Sequence, residues 1–177
     1  MNLDLNLYPL LTMGAWVQAS GSTPHGKVIS HDNGGYDRAL GLDARAPGGW
    51  SAFTGTPIIA GGGAVSPEWQ FIAVTYEQGG TTSLFVDGLL VSDGPALHGT
   101  GLNFTRIGGN PSFGEWFDGL IDDVFFFDEI LSNDEILEMS SSGVPFNPPG
   151  PDGQVPAPMT LLLLALGLFG ISLTRKS

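Results

Sequence analysis

WQFIAVTYEQGGTTSLFVDGLLV, residues 69–91, holds three short apolar runs separated by two tight turns. Trp69–Tyr76 is rich in aromatic and β-branched residues, and Gln78-Gly79-Gly80 ends it. Ser83–Val86 and Leu89–Val91 flank Asp87-Gly88. Both residues of such a pair accept positive φ, as a two-residue hairpin turn requires. The stretch therefore reads as three antiparallel strands. Toward the N-terminus, Thr12–Ala19 alternates with Met13, Ala15, Val17 and Ala19 on one side, and Lys27–Ser30 and Ala39–Asp43 read as shorter strands. Toward the C-terminus, Arg106-Ile107-Gly108-Gly109 closes a strand into a turn, and Leu120–Phe127 (LIDDVFFF) is the last strand. Ser132 and Glu135 then have capping-box spacing, with Leu131 and Ile136 placed as a hydrophobic staple. A helix of one or two turns is predicted from Ser132. Many short strands and one terminal helical turn predict an all-β fold, a two-sheet antiparallel sandwich.

The composition agrees. The 177 residues suffice for one domain of ordinary size, and 27 Gly and 13 Pro with only 14% charged residues describe a turn-rich, helix-poor chain. Six basic residues stand against 18 acidic ones, a formal charge of −12. Such a surface repels phosphate backbones, which excludes nucleic acid as a partner, and it attracts divalent cations. The absence of cysteine removes disulfides, thiolate metal sites and cysteine nucleophiles. His25, His31 and His98 lie too far apart for a helical metal motif and are expected as surface or loop residues.

Composition divides the chain into three parts: residues 1–139 as the sandwich, 140–154 as a Pro/Gly-rich linker, and 155–177 as a tail. From Ser140 to Pro158 the sequence SSSGVPFNPPGPDGQVPAP forms neither a helix nor an inner strand. Met159–Leu173 is uncharged and predicts an apolar helix, followed by Arg175 and Lys176; all 18 acids precede it. Fifteen such residues span about 22 Å as a helix against a bilayer core of about 30 Å, so length alone leaves a buried core helix open. Its place behind a Pro-rich linker, without amphipathic flanks, points to membrane insertion. The basic pair would then stay cytoplasmic and the acidic domain outside. Met1–Leu7 alternates like a strand and has neither the basic nor the long apolar region of a signal peptide. Export is thus expected to depend on a portion upstream, the other reading being a tail-anchored protein.

Two resemblances follow from these residues. Trp16-Val17 in an early strand, residues 69–91, RIGG (Arg106–Gly109) and FDGLIDDVFFFDEILSNDEI (Phe117–Ile136) resemble, in that order, laminin-G-like domains, which are concanavalin A-like jelly rolls. The resemblance spans about Leu10 to Leu137 and implies a lectin-like module. Its work would be non-catalytic contact with polysaccharide or an extracellular protein, often with calcium at the rim. Val155-Pro156-Ala157-Pro158, the Leu-rich segment and the basic Arg175-Lys176 end resemble a bacterial PEP-CTERM sorting signal, with Ala157 where that family usually has Glu. This implies processing by an exosortase-type transpeptidase, and delivery by way of the membrane to the cell surface or extracellular matrix.

Candidate site residues fall into three groups. Strict alternation in the last strand puts Leu120, Asp122, Val124 and Phe126 on one face and Ile121, Asp123, Phe125 and Phe127 on the other. A carboxylate on an apolar face needs a partner, so Asp122 is either a calcium ligand, with Asp118 as the next candidate, or an acceptor for backbone N–H groups. In His31-Asp32-Asn33-Gly34-Gly35-Tyr36-Asp37, the side chains of Asp32, Asn33 and Asp37 offer the hard oxygens calcium prefers. The same residue types also suit a plain hairpin loop. Trp50 and Trp116 sit in turn-rich stretches, with Phe53 and Phe117 nearby, as ring platforms for a sugar or as packing, whereas Trp16 and Trp69 read as core. Phe125 marks a contact surface or a fuller core. No catalytic constellation stands out. The paired acids of glucanase strands are absent, Glu129, Glu135 and Glu138 have helical spacing, and neither G-x-S-x-G nor a phosphate loop occurs. A structural matrix component without a specific ligand, and a glycan-cleaving enzyme, remain the alternatives to a binding module.

Overall fold

The computed structural model describes residues 1–21, 24–46, 49–55 and 60–142. The chain divides at Pro145, and only the first unit, Met1–Pro145, carries described residues. The linker from residue 143 on, Val155–Pro158, the apolar segment 159–173, Arg175 and Lys176 lie outside them. Among the described residues no helix is long and apolar enough to cross a membrane.

Among the described residues, twelve strands and one α-helix follow in order: β1 Leu10–Ala19, β2 Lys27–Ser30, β3 Ala39–Leu42, β4 Gly49–Ala52, β5 Ala60–Ala64, β6 Gln70–Glu77, β7 Thr81–Val86, β8 Leu89–Pro95, β9 Arg106–Ile107, β10 Gly109–Asn110, β11 Glu115–Trp116, β12 Gly119–Phe127 and α1 Asn133–Ser142. They form a first sheet in the order β12-β1-β6-β7-β8 and a second in the order β10-β11-β2-β3-β4-β5, with β9 also paired to β2. The meander of residues 69–91 becomes β6-β7-β8, with Asp87 at φ 51° and Gly88 at φ 78° in its predicted hairpin turn. The capping box forms as expected. Ser132 N–H donates to Glu135 Oε2 at 2.7 Å, and Glu135 N–H donates to Ser132 Oγ at 3.4 Å. The helix behind it runs to Ser142, longer than the one or two turns predicted. Met1–Leu7 is not a strand: Leu5–Leu7 forms a 3-10 turn, the side chain of Asp4 accepts from Asn6 N–H, and Leu5 is buried.

Between the sheets lies one apolar core. Leu11, Met13, Ala15 and Val17 of β1 and Ile72, Val74 and Tyr76 of β6 pack with Val28, Leu40, Leu42, Trp50 and Ala52 of the second sheet. Hydrogen bonds link the sheets across this core, among them Trp50 Nε1 to Gln70 Oε1 at 3.1 Å and Tyr76 Oη to the Ala39 carbonyl at 3.1 Å. Both satisfy a polar atom that would otherwise be buried without a partner.

The first sheet is also covered on its outer face. Thr12, Gly14 and Trp16 of β1 pair with Thr75, Ala73 and Phe71 of β6, and Thr12, Thr75, Ala73 and Phe71 are buried. The segment after β12 crosses this face: Thr12 Oγ1 donates to the Glu129 carbonyl at 2.7 Å and accepts from Leu131 N–H at 3.0 Å. Leu131, Ile136 and Met139 are buried there. Phe125 belongs to this outer layer, stacked on Phe71 with centroids 5.6 Å apart. Its ring lies over Gly14, where an added Cβ would stand 2.5 Å from Phe125 Cζ.

Strict alternation fails in β12. The register steps from Gly14↔Phe125 to Trp16↔Asp122, and Asp123 takes φ 47° as the extra residue of a β-bulge. Ile121, Val124 and Phe126 consequently pack on the core, while Asp122 and Asp123 are both exposed. The expected sharing of a face by Asp122, Val124 and Phe126 is thereby corrected.

The three histidines lie in loops or turns, one of the two placements expected. His31 and His98 are buried rather than on the surface. The His98 ring packs edge-on against Tyr76 at 5.1 Å, and neither ring nitrogen has a hydrogen-bond partner. Burial, then the nearby Arg38 and His31, push its pKa down to about 4.

Two expectations follow. Gly14→Ala forces a Cβ against Phe125 and the Ile72 carbonyl and is expected to cost about 1–3 kcal/mol; an unchanged urea midpoint would contradict the packing described. His98 binds no proton in the folded state until about pH 4, whereas the unfolded chain protonates near pH 6.5. Its contribution is complete above pH 6.5 and lost on acidification toward pH 4, by roughly 3 kcal/mol at most. Burial lowers His31 in the same sense and raises Asp37 in the opposite one. The readout is therefore the difference between wild type and His98→Phe, whose melting temperature should fall less steeply between pH 6.5 and 4.

Candidate functional site

The row Lys27, Gly41 and Ser51 points away from the core, since Val28, Leu40, Leu42, Trp50 and Ala52 beside it point inward. On that outer face of the second sheet lies a recess of about 140 Å³, lined by Asp32, Tyr36, Arg45, Phe53, Phe113 and Glu115, with Gly34. Four segments converge here: the β2–β3 loop, the β3–β4 turn, the end of β4 and the β10–β11 hairpin.

Side-chain bonds hold the β2–β3 loop in shape. Asp32 Oδ1 accepts from Gly34 N–H and Asp37 N–H, each at 3.0 Å. Asn33 Oδ1 accepts from Gly35 N–H at 3.2 Å, and Asn33 Nδ2 donates to the Thr100 carbonyl at 2.8 Å. These bonds set Tyr36 at φ 56°, a left-handed conformation that a bulky residue adopts only where its surroundings impose it. The Tyr36 ring meets Phe53 edge-on at 5.4 Å, and the Arg45 guanidinium carbon lies 5.7 Å from its centroid. Phe113 is 51% exposed, an apolar ring open to solvent.

Beneath the recess is a buried ionic cluster. Asp43, fully buried, accepts from Arg45 Nε at 2.7 Å through one oxygen and from Lys27 Nζ at 3.3 Å through the other. Burial alone would raise the Asp43 carboxyl. The Arg45 fork and the Lys27 charge more than offset this and hold it far below the usual carboxylate range. Lys27 is lowered by burial, against the pull of Glu115 and Asp43, and its Nζ sits 4.3 Å above the Phe53 ring. Arg45 is raised by its hydrogen bonds to Asp43 and stays charged at every relevant pH. Asn110 Nδ2 donates to Asp32 Oδ2 and to Glu115 Oε2, each at 3.0 Å. One amide therefore fixes two carboxylates at the edge of the recess.

The sequence candidates separate into three groups. Asp32, Asn33 and Asp37 share the loop as expected, and Trp116, 56% exposed, neighbours Glu115 in β11. Trp50 has no exposed surface and stacks with Phe117 at 6.5 Å, so it is a core residue and not a ring platform. Asp122 lies on the other sheet, where its Oδ1 accepts from Asp123 N–H at 2.8 Å. Asp118 is exposed ahead of β12, and its carbonyl accepts from Ser20 N–H at 2.9 Å. The residues reasoning from sequence missed are Tyr36, Arg45, Asn110, Phe113 and Glu115. Tyr36 stood inside the quoted loop, and Arg45 is one of few cations in an acidic chain.

The oxygens of this loop are engaged in holding its own shape. Asp32 already accepts three hydrogen bonds and Asn33 Oδ1 one. Among the described residues no group of three or more His, Cys, Asp or Glu could hold a metal ion.

Comparison with known proteins places this geometry in a family. A family profile described as the concanavalin A-like lectin/glucanases superfamily, of laminin-G type, matches residues 7–137, well over half the chain. No curated protein sequence matches. Among solved structures, domain 4 of AbnA, a GH43 extracellular arabinanase from Geobacillus stearothermophilus in complex with arabinotriose, is similar with a TM-score of 0.59 and 16% identity, over 76% of this chain and 68% of that one. The CBM40 of Ruminococcus gnavus IT-sialidase, bound to α2,3 sialyllactose, has a TM-score of 0.57 and 17% identity, over 76% and 84%. The binding domain of Botulinum neurotoxin DC in complex with rat synaptotagmin II has 0.52 and 12%, over 77% of this chain but only 36% of that one. At these identities the likeness establishes the fold alone. The chain belongs to the concanavalin A-like lectin/glucanase superfamily, as a laminin-G-like two-sheet sandwich.

Proposed function

We propose that this protein is a non-catalytic binding module that takes a sugar residue of a polysaccharide into the recess on its second sheet. The observation that carries the reading is the recess itself. Phe113 and Tyr36 offer ring surface for the C–H face of a sugar, and Asp32 and Glu115 accept hydroxyl protons from fixed positions. The buried ion cluster beneath supplies rigidity: Arg45 is clamped on Asp43 and little order remains to be imposed on binding. Neighbouring folds that hold arabinotriose or sialyllactose support a glycan, and the one that holds synaptotagmin supports an extracellular protein as the competing partner. Calcium has no part in this reading.

For the tail we keep the reading of the sequence: export, membrane engagement through residues 159–173, and exosortase-type processing at Val155–Pro158, delivering the module to the cell surface or matrix. The charge distribution supports it, with every acid ahead of the apolar segment and Arg175 and Lys176 behind.

One observation favours a second reading. Asp32 and Glu115 each lie 3.0 Å from the same amide nitrogen. Their oxygens are thus no farther apart than twice that distance, close to the spacing of about 5–5.5 Å between the carboxylates of retaining glycosidases. Three donors already on Asp32 make it a poor nucleophile, which favours binding over cleavage.

The test is a glycan array with the full chain held in a non-sugar detergent, in calcium and then in EDTA. Saturable binding that survives EDTA is expected, and Phe113→Ala or Arg45→Ala should weaken it about tenfold or more. Binding unaffected by both substitutions would move the ligand elsewhere. Reducing-end release that stops in Asp32→Asn would make the protein an enzyme.

A further inference from the structure

We propose a second saccharide site on the opposite face of the molecule, built by Trp16, Trp69, Asp122 and Asp123 on the outer surface of the first sheet. It does not depend on the first recess. These four residues line a recess of about 210 Å³, room for one sugar ring. Trp69, which the sequence suggested was core, is 42% exposed, and Trp16 is half-buried.

The site is built from beneath. The aromatic layer runs from Phe127 to Phe125 at 5.8 Å, to Phe71 at 5.6 Å and to Trp16 at 5.7 Å, the last contact edge-on. Residues 128–142 cover the Thr12 end of this layer, and it opens to solvent at Trp16 and Trp69. Trp16 is thereby held by Phe71 in one orientation, a fixed ring that loses little freedom when a sugar stacks on it. The β12 register sets Asp122 opposite Trp16, and the bulge keeps Asp123 on the surface beside it. Among the described residues, the non-glycine positions with positive φ are Asp87 in its hairpin, Asp123 in its bulge and Tyr36 in the first recess.

The chemistry selects the ligand. An indole face takes the C–H face of a pyranose, and two exposed carboxylates accept its hydroxyls. With no cation among the lining residues, uronic and sialic acids are repelled. The ligand class is therefore a neutral hexopyranose chain. With sites on both faces, one molecule would bridge two chains and gain affinity through multivalency.

The experiment titrates the full chain, in non-sugar detergent, with cellohexaose, mannohexaose, tri-galacturonate and choline, following tryptophan emission. Saturable quenching by a neutral hexasaccharide is expected, weakened about tenfold or more by Trp69→Ala and by Asp122→Asn. Both positions are exposed, so the variants should keep the wild-type melting temperature, and Asp123→Asn provides a third that suits the left-handed bulge. Quenching lost only in Arg45→Ala would assign the sugar to the first recess and overturn this second site. Response to choline or to galacturonate alone, or no saturable response to either hexasaccharide, would overturn it as well.

Discussion

A β-strand paired on both edges and flanked by apolar residues on both faces can be stable only if something covers each face. That is the situation of β1, which pairs with β6 on one side and β12 on the other. Its inner residues, Leu11 to Ala19 in alternation, are covered by the second sheet. Its outer residues Thr12 and Gly14 are covered by the segment that ends in α1 and by the Phe125 ring, and Trp16 is half-covered, edge-on to Phe71. The rest of the architecture depends on this double coverage. The helix exists to close the outer layer, and β12 needs its bulge to give Asp122 and Asp123 to solvent while returning Val124 and Phe126 to the core.

The second sheet meets the same constraint with charge. Lys27 and Asp43 are buried on or beside its outer face, where an unpaired charge would cost several kcal/mol. They survive because Arg45 and Asn110 complete the network, linking Asp43, Asp32 and Glu115 to hydrogen-bond donors. Arg45, in making this pairing, becomes part of a recess wall. In the proposed reading, packing and recognition would be properties of one set of contacts, and the recess is rigid for the reason that the sheet is stable.

Much of the fold was legible because it rests on local chemistry. Asp87-Gly88 fixed a turn, Ser132 and Glu135 a cap, and the alternation in Thr12–Ala19 a core face. What failed depended on contacts between distant segments. The bulge at Asp123 answers to β1, so alternation read along β12 alone put Val124 and Phe126 on the face of Asp122. Trp50 looked like a loop ring because its neighbours are Gly and Ser, but Gln70, twenty residues on, gives its indole N–H a partner in the core. His31 and His98 are buried by packing that no spacing rule describes. The site was half visible. Asp32 and its loop announced themselves, whereas Glu115 and Asn110 joined them only through β10 and β11, two-residue strands without a pattern to read.

The central claim is that the second sheet's outer recess holds a sugar, and the most direct test maps the contact. Backbone amide shifts of the isotope-labelled full chain would be followed by NMR during titration with the oligosaccharide that binds best on the array. The account expects the largest shifts in residues 32–37, at Arg45 and in residues 110–116, with the core strands β6 and β7 unmoved. Shifts confined to other surfaces, or none at saturating sugar, would contradict it.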